Sequence, residues 1–402
     1  MSCVKKKKAL IIYSQGGGGH LSAANSVSCV LSQNNYKFDL INITDGIILN
    51  DKIYDFLFNR EWWNLLKLLI SLRHIVEYLT IKIKGREILQ KLNRKIGEEK
   101  VDLVISVFPI GNALYQEFCL KENLPFIIIP TDFKNDHFFS KLNSERGKSN
   151  TTAIFPFKNQ SLYNKLKKKN ISIVNMDYPI REEFEKVGVE FRKGPQEENI
   201  FTSALENLKK SYEIKMGDKI ILLSIGAKGY GVNSYINYID TINDKYYEIK
   251  NADETIHLLA ATGKSNTLKY KLEEYYRNKK LSIRLHILGP LEAAQMALHM
   301  KLSHVIISKP GGGIVAESMA LGLPMLLKSE SAKSLFWERG NMAMVKKNNW
   351  GISLDHGKGF SSSELIEKLN YIFSPMFQQK VYNVPPVNQF SNKFGNFLKK
   401  IN

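Results

Sequence analysis

The stretch "ALIIYSQGGGGHLSAANSVSCVL", residues 9–31, runs from five mostly apolar residues through four consecutive glycines into a histidine and a helix-like segment. A continuous apolar run without polar alternation is the pattern of a strand buried on both faces, as in a parallel sheet. Glycine lacks a Cβ, so its backbone takes positive φ and lets a ligand approach closely. The helix that follows presents unpaired N–H groups and a positive dipole end to the same loop. Gly17, Gly18 and Gly19 are therefore candidates for a loop that receives a phosphate or a polar acceptor. His20, beginning the helix, is a candidate base, because a helix N-terminus lowers an imidazole pKa and keeps it neutral. A dinucleotide fingerprint G-x-G-x-x-G fails here, since Leu21 stands at its third glycine.

Outward from this unit the chain repeats its logic. Apolar runs "KFDLINI", "VDLVISV", "FIIIPTD", "TAIFPF" and "ISIVNM" follow in the first half. "KIILLSIGA", "TIHLLAATG", "IRLHILG", "HVIISK" and "LPMLLK" follow in the second, alternating with helix-like segments throughout. Such alternation predicts an α/β class with parallel sheets. Residues 190–218, with "RKGPQEEN", carry no strand signal and read as a connection plus a helix. At 402 residues the chain fits two domains, and 44% hydrophobic content fills two cores. The expected layout is 1–200, 201–385 and a returning C-terminal helix in 386–402. In doubly wound sheets ligands sit beyond the strand carboxyl ends, so motifs are expected there.

Composition narrows the function classes. A formal net charge of +18 favours an acidic partner such as a phosphorylated substrate or an anionic membrane surface. Nucleic acid is not expected, because no helix-turn-helix, zinc or RNA-binding signature accompanies the charge. Cys3, Cys29 and Cys119 are odd in number and widely spaced, which points to a reducing compartment and no thiolate metal site. The five apolar residues after the N-terminal lysines are too few for a secretory h-region, and no 18-residue apolar run is present, so a cytoplasmic location is expected.

The second glycine loop is "HVIISKPGGGIVAESMALGLPMLL", residues 304–327. A strand ends at Lys309-Pro310, the backbone turns through Gly311, Gly312 and Gly313, and a helix begins near Ile314. Glu317 shares a helix face with Gly313, so a diphosphate on the helix start sets an attached ribose near this carboxylate, a suitable acceptor for a vicinal diol.

These residues resemble the donor-site motif of UDP-sugar glycosyltransferases of the GT-B fold, in which two Rossmann-like doubly wound domains face each other across a cleft. The chain is most similar to monogalactosyldiacylglycerol synthases and processive diacylglycerol glucosyltransferases, and more distantly to the peptidoglycan lipid II N-acetylglucosaminyltransferase. Lys309 to Glu317 reproduces the K-P-G-G-x-x-x-x-E pattern, and "SQGGGGHLSAA" the N-terminal G-x-G-H loop. "PTDFKNDHFF" matches a segment that puts Asp132 in the cleft, and "NMDYPIREEF" one that precedes the second domain. "LLSIGAKGYG" contributes Gly226 and Gly229, "AATGKSN" Lys264, and "LHILGPLE" Leu288 and Gly289, whose backbone reads uracil in the family. "WERGN" matches a Q-E-x-G-N motif and contributes Glu338 and Asn341. Phe108, Ile314 and Trp337 stand where the family commonly has histidine, threonine and glutamine. The first substitution bears on the acceptor, the last on the sugar.

The resemblance implies an inverting hexosyl transfer to a lipid hydroxyl, with UDP-sugar as substrate and no cofactor. No D-x-D sequence is present, so a metal-independent reaction is expected, with helix N-termini, Lys264 and Lys309 meeting the diphosphate. His20 and Asp132 share the base and orienting roles, with the assignment between them open. Residues 53–95 mix Trp62, Trp63, leucines and basic residues, the pattern of an amphipathic helix on an anionic interface, which the resemblance also implies. A helix hairpin packed on its own domain is the competing reading. A soluble acceptor and a UDP-sugar-binding module without turnover are the alternatives for function.

Overall fold

The computed structural model describes residues 6–14, 19–43, 62, 65, 68, 73–142, 150–156, 160–191, 200–226, 231–249, 253–329, 335–355, 360–377 and 388–401. Of the expected site residues, Gly17, Gly18 and Gly229 lie outside this set. So do 53–61 and most of 63–72, together with the side chains of 73–84.

Contacts divide the chain into two compact units, with the division at Glu182–Glu183 and residues 389–402 returning to the first. The first unit contains β1 (Lys7–Tyr13), α1 (Gly19–Gln33), β2 (Tyr36–Asn42), α2 (Arg73–Glu98), β3 (Leu103–Ser106), α3 (Asn112–Lys121), β4 (Phe126–Ile128), β5 (Thr151–Phe155), α4 (Gln160–Lys167) and β6 (Ser172–Asn175). Its six strands are parallel, in the order β2-β1-β3-β4-β5-β6. The run read as the deciding strand is the inner strand β1, whose successive residues face opposite sides. Leu10 and Ile12 enter one core with Val104, Phe126 and Phe138, while Ala9 and Ile11 enter another with Val27, Leu31 and Ile127.

After α5 (Glu182–Glu190), which packs almost wholly with the second unit, come α6 (Ile200–Ser211), β7 (Lys219–Ser224), α7 (Val232–Asp244), β8 (Ile256–Ala261), α8 (Asn266–Tyr276), β9 (Arg284–Leu288), α9 (Ala293–Leu302), β10 (Val305–Ser308), α10 (Gly312–Leu321), β11 (Met325–Lys328), α11 (Phe336–Lys347), β12 (Gly351–Leu354) and α12 (Ser362–Phe373). The second sheet is also parallel, in the order β12-β11-β10-β7-β8-β9. Strand β12 carries no apolar run that announces it. It docks because Gly351 lies hard against the backbone carbonyl of Met325, a place no side chain fits. The last helix, α13 (Phe390–Lys400), belongs to the first unit and buries Phe390, Phe394 and Leu398 in the core shared with α1.

Helix α2 settles part of the competition over residues 53–95. Ile88 and Leu92 are buried in the first unit's core, with Leu89 and Ile96 packed against it. The apolar stripe of this half therefore serves its own domain, as helix stripes in globular proteins do. Among the described residues of the preceding segment, Trp62, Leu65 and Leu68 are exposed. No described helix is long and apolar enough to cross a membrane.

Candidate active site

Strand order reverses between β1 and β3 in the first sheet and between β7 and β10 in the second. Crevices at such reversals, beyond the strand carboxyl ends, are where open parallel sheets bind ligands. The loop after β1 leads to His20, β3 to Val107 and Phe108, and β4 to Thr131 and Asp132. In the second unit β7 leads to Gly226, and β10 to Lys309 and the three glycines.

His20 Nδ1 lies 3.0 Å from the Val107 carbonyl oxygen and 2.8 Å from Thr131 Oγ1. A carbonyl only accepts, so these partners assign the proton to Nδ1 and leave the Nε2 lone pair as the basic site. Phe108 packs edge-on against the imidazole at 4.9 Å between centroids. Behind it, Tyr178 Oη donates to the Thr131 carbonyl at 2.6 Å, bracing the segment that carries Thr131. Burial lowers the His20 pKa, opposed by the charge of Asp132 and the bond to Val107 and assisted by His137. Desolvation is thus the first cause that favours the neutral imidazole.

Asp132 is buried, and its Oδ2 lies 3.7 Å from His137 Nε2. Both hydrogen bonds of the His20 imidazole go to Val107 and Thr131, and Asp132 reaches it through charge. Thr131, Val107, Tyr178 and His137 were missed by sequence reasoning. Their roles depend on β3 and β4 lying side by side, and only the adjacency of Thr131 to Asp132 offered a signal.

In the second unit Gly226 has φ +117°, a conformation nearly closed to other residues. A Cβ there would sit 3.3 Å from Lys309 Cε, so the glycine makes room for the lysine stem. Lys309 Nζ lies 3.3 Å from Glu338 Oε1, and this carboxylate is almost wholly buried. Asn341, fully buried on the same helix α11, donates from Nδ2 to the Pro310 carbonyl at 2.9 Å. Glu338 and Asn341 thus brace the Lys309-Pro310-Gly311 turn from below. Beyond that turn, a Cβ at Gly313 would meet nothing within 4 Å, leaving open space over the start of α10. Glu317 is buried one turn further along the helix.

The remaining expected residues are less closely tied to this turn. Lys264 is exposed, after Gly263 with φ +61°. The Leu288 carbonyl accepts from both the amide and the hydroxyl of Thr262, at 3.0 and 2.9 Å, which occupies it. Gly289 lies under the stem of Lys269, whose Cδ would be 3.4 Å from a Cβ there. Of the pair expected to read uracil, the Leu288 carbonyl is therefore already engaged by the protein.

No protein-family profile and no curated protein matches the chain. Its likeness to solved structures is extensive in three dimensions. MurG of Acinetobacter baumannii aligns over 98% of this chain and 99% of its own, at 11% identity and a TM-score of 0.56. The kitacinnamycin glycosyltransferase aligns over the same shares with the same identity and score. UDP-GlcNAc 2-epimerase from Neisseria meningitidis, bound to UDP-GlcNAc, covers 98% of this chain and all of its own, at 14% identity and 0.55. With the two parallel sheets described above, these likenesses define the fold as GT-B. Proteins named as transferases and as an epimerase share it, so the fold alone does not set the chemistry.

Proposed function

We propose that the protein is an inverting UDP-sugar glycosyltransferase. The observation that carries this reading is the Lys309–Glu317 segment at the strand reversal of the second sheet. There three glycines open the start of α10 beside a braced lysine. Helix amides and Lys309 stabilise the charge that develops on a departing diphosphate without requiring a metal ion. Glu317 accepts the ribose hydroxyls, and the second oxygen of Glu338, buried and lacking a hydrogen-bond partner among the described residues, is suited to accept from a sugar hydroxyl.

His20 supplies the base. In the proposed step the acceptor hydroxyl gives its proton to Nε2 while its oxygen bonds to the anomeric carbon. The bond from that carbon to the diphosphate oxygen breaks, and UDP leaves with the electron pair. Asp132 stabilises the imidazolium formed, through the same charge that raises its pKa. A base with a free Nε2 favours transfer over simple nucleotide-sugar binding.

The acceptor class is a membrane lipid hydroxyl, such as that of diacylglycerol, and the protein works on the inner face of the cell membrane. Exposed Trp62, Leu65 and Leu68 and the net charge of +18 support this reading. The edge-on packing of Phe108 on His20 favours a soluble acceptor as the second reading. UDP release from a panel of UDP-sugars, with and without vesicles of diacylglycerol and anionic lipid, tests both. Lipid-dependent release with one sugar is expected; release with soluble acceptors alone would replace the lipid assignment, and no release from any sugar would overturn the transferase.

A further inference from the structure

Two lysines sit at the carboxyl ends of adjacent strands of the second sheet, and their surroundings differ. Lys309, after β10, faces a carboxylate in Glu338. Lys328, the last residue of β11, is 7% exposed, and its Nζ donates to Ser234 Oγ at 3.0 Å. The Tyr238 ring lies 5.6 Å from the same ammonium. Among the described residues no carboxylate pairs with it. Ser234 is the third residue of α7, so the ammonium lies against the first turn of a helix whose amides point the same sign of charge outward.

A buried ammonium is costly unless paired, and a hydroxyl with an aromatic face compensates only in part. Three N–H donors are available on Nζ, and Ser234 takes one. The carboxyl edge of the sheet thus holds a buried positive charge beside a positive helix end, at the last residue of the strand neighbouring β10. An anion relieves both at once.

We infer that Lys328, with Ser234 and the first turn of α7, forms an anion subsite that takes a phosphate group of the donor's diphosphate. For the identity of the ligand this rests on the donor reading above; the anion chemistry itself does not. In free protein Ser234 holds the ammonium. With ligand bound, the remaining donors turn to phosphate oxygens, and Lys309 and Lys328 approach the leaving group from two neighbouring strands.

The test compares wild type with Lys328→Met, which keeps the stem volume and removes the charge. Equilibrium binding is measured with UDP, uridine and inorganic pyrophosphate, alongside thermal melting. Charged hydrogen bonds of this kind set the expected loss at about 10- to 100-fold in affinity for UDP and pyrophosphate, with uridine unchanged and the melting temperature not lowered. Wild-type UDP and pyrophosphate affinity in Lys328→Met would overturn the inference while leaving the donor reading intact. Pyrophosphate binding that needs Lys328, in a protein that ignores UDP, would support the inference and sink the donor reading. Absence of pyrophosphate binding in wild type would overturn it. If Lys328→Met fails to fold, Ser234→Ala removes only the hydroxyl that holds the ammonium. Altered pyrophosphate affinity in this variant is then expected, and unchanged affinity contradicts the subsite.

Discussion

Replacing Gly313 by alanine separates folding from ligand binding at the start of α10. Gly313 is the second residue of that helix, and a Cβ built there meets nothing within 4 Å. Alanine in place of glycine in a helix is favourable by about 0.5–1 kcal/mol where no clash arises. For a unit of this size that raises the melting temperature by about 1–4 °C. The Cα–Cβ bond of a helical residue leans toward the helix N-terminus, so the new methyl points at the place a phosphate on those amides would occupy. Losing one or two charged hydrogen bonds there weakens UDP binding by roughly 10- to 100-fold. Thermal melting with and without UDP reads both quantities on one sample. The expected variant is at least as stable as wild type and is shifted far less by UDP. An undiminished UDP shift would show that the open space over α10 is not the phosphate site. A melting temperature several degrees lower would show that the space is not open.

Four further outcomes follow from the same geometry. His20→Ala lowers kcat by about 10²- to 10⁴-fold with UDP affinity retained, measured by UDP release and equilibrium binding. In wild type the acid limb of the kcat/KM profile falls below the ordinary histidine range, because burial lowers the His20 pKa and the neutral form persists to lower pH. Glu338→Ala removes the partner of Lys309, and a several-fold rise in the Kd for UDP at unchanged uridine affinity is expected by calorimetry. Burial likewise lowers His257, His286, His299 and His304, with His286 near 4. Their unfolded forms bind protons first, so stability is full above about pH 6.5 and is lost as pH falls toward 4. His286 alone contributes about 1–2 kcal/mol after allowance for its partial exposure, and denaturant titrations at pH 7.5 and 5 check the slope.

The sheets were legible because both are parallel and buried on both faces, so each inner strand appears as an unbroken apolar run. β1, β7 and β10 are examples. β12 was illegible because its placement depends on Gly351 fitting against Met325, a contact between strands distant in sequence. The glycine loops were expected directly after apolar runs; that β1 and β10 lie at order reversals appears only in the sheet topology. What His20 touches could not be read, since Val107 and Thr131 reach it from two other strands. Glu338 and Asn341 were expected at the donor region from "WERGN", and their bracing of the Lys309 turn appears only when α11 packs beneath it. The leucine-rich region 53–95 shows the opposite limit. A helical stripe has the same sequence whether it faces lipid or core, and burial of Ile88 and Leu92 decides it for the second half of α2.

Sugar transfer from UDP by this chain is tested most directly by one NMR time course. Each UDP-sugar is incubated with the protein and the candidate acceptors while the anomeric proton and the diphosphate phosphorus signals are followed together. For one sugar, loss of the diphosphate-linked anomeric signal, equal gain of free UDP and a new glycoside of inverted anomeric configuration are expected. Conversion of the sugar to its epimer, or no change with any sugar and acceptor, would contradict sugar transfer.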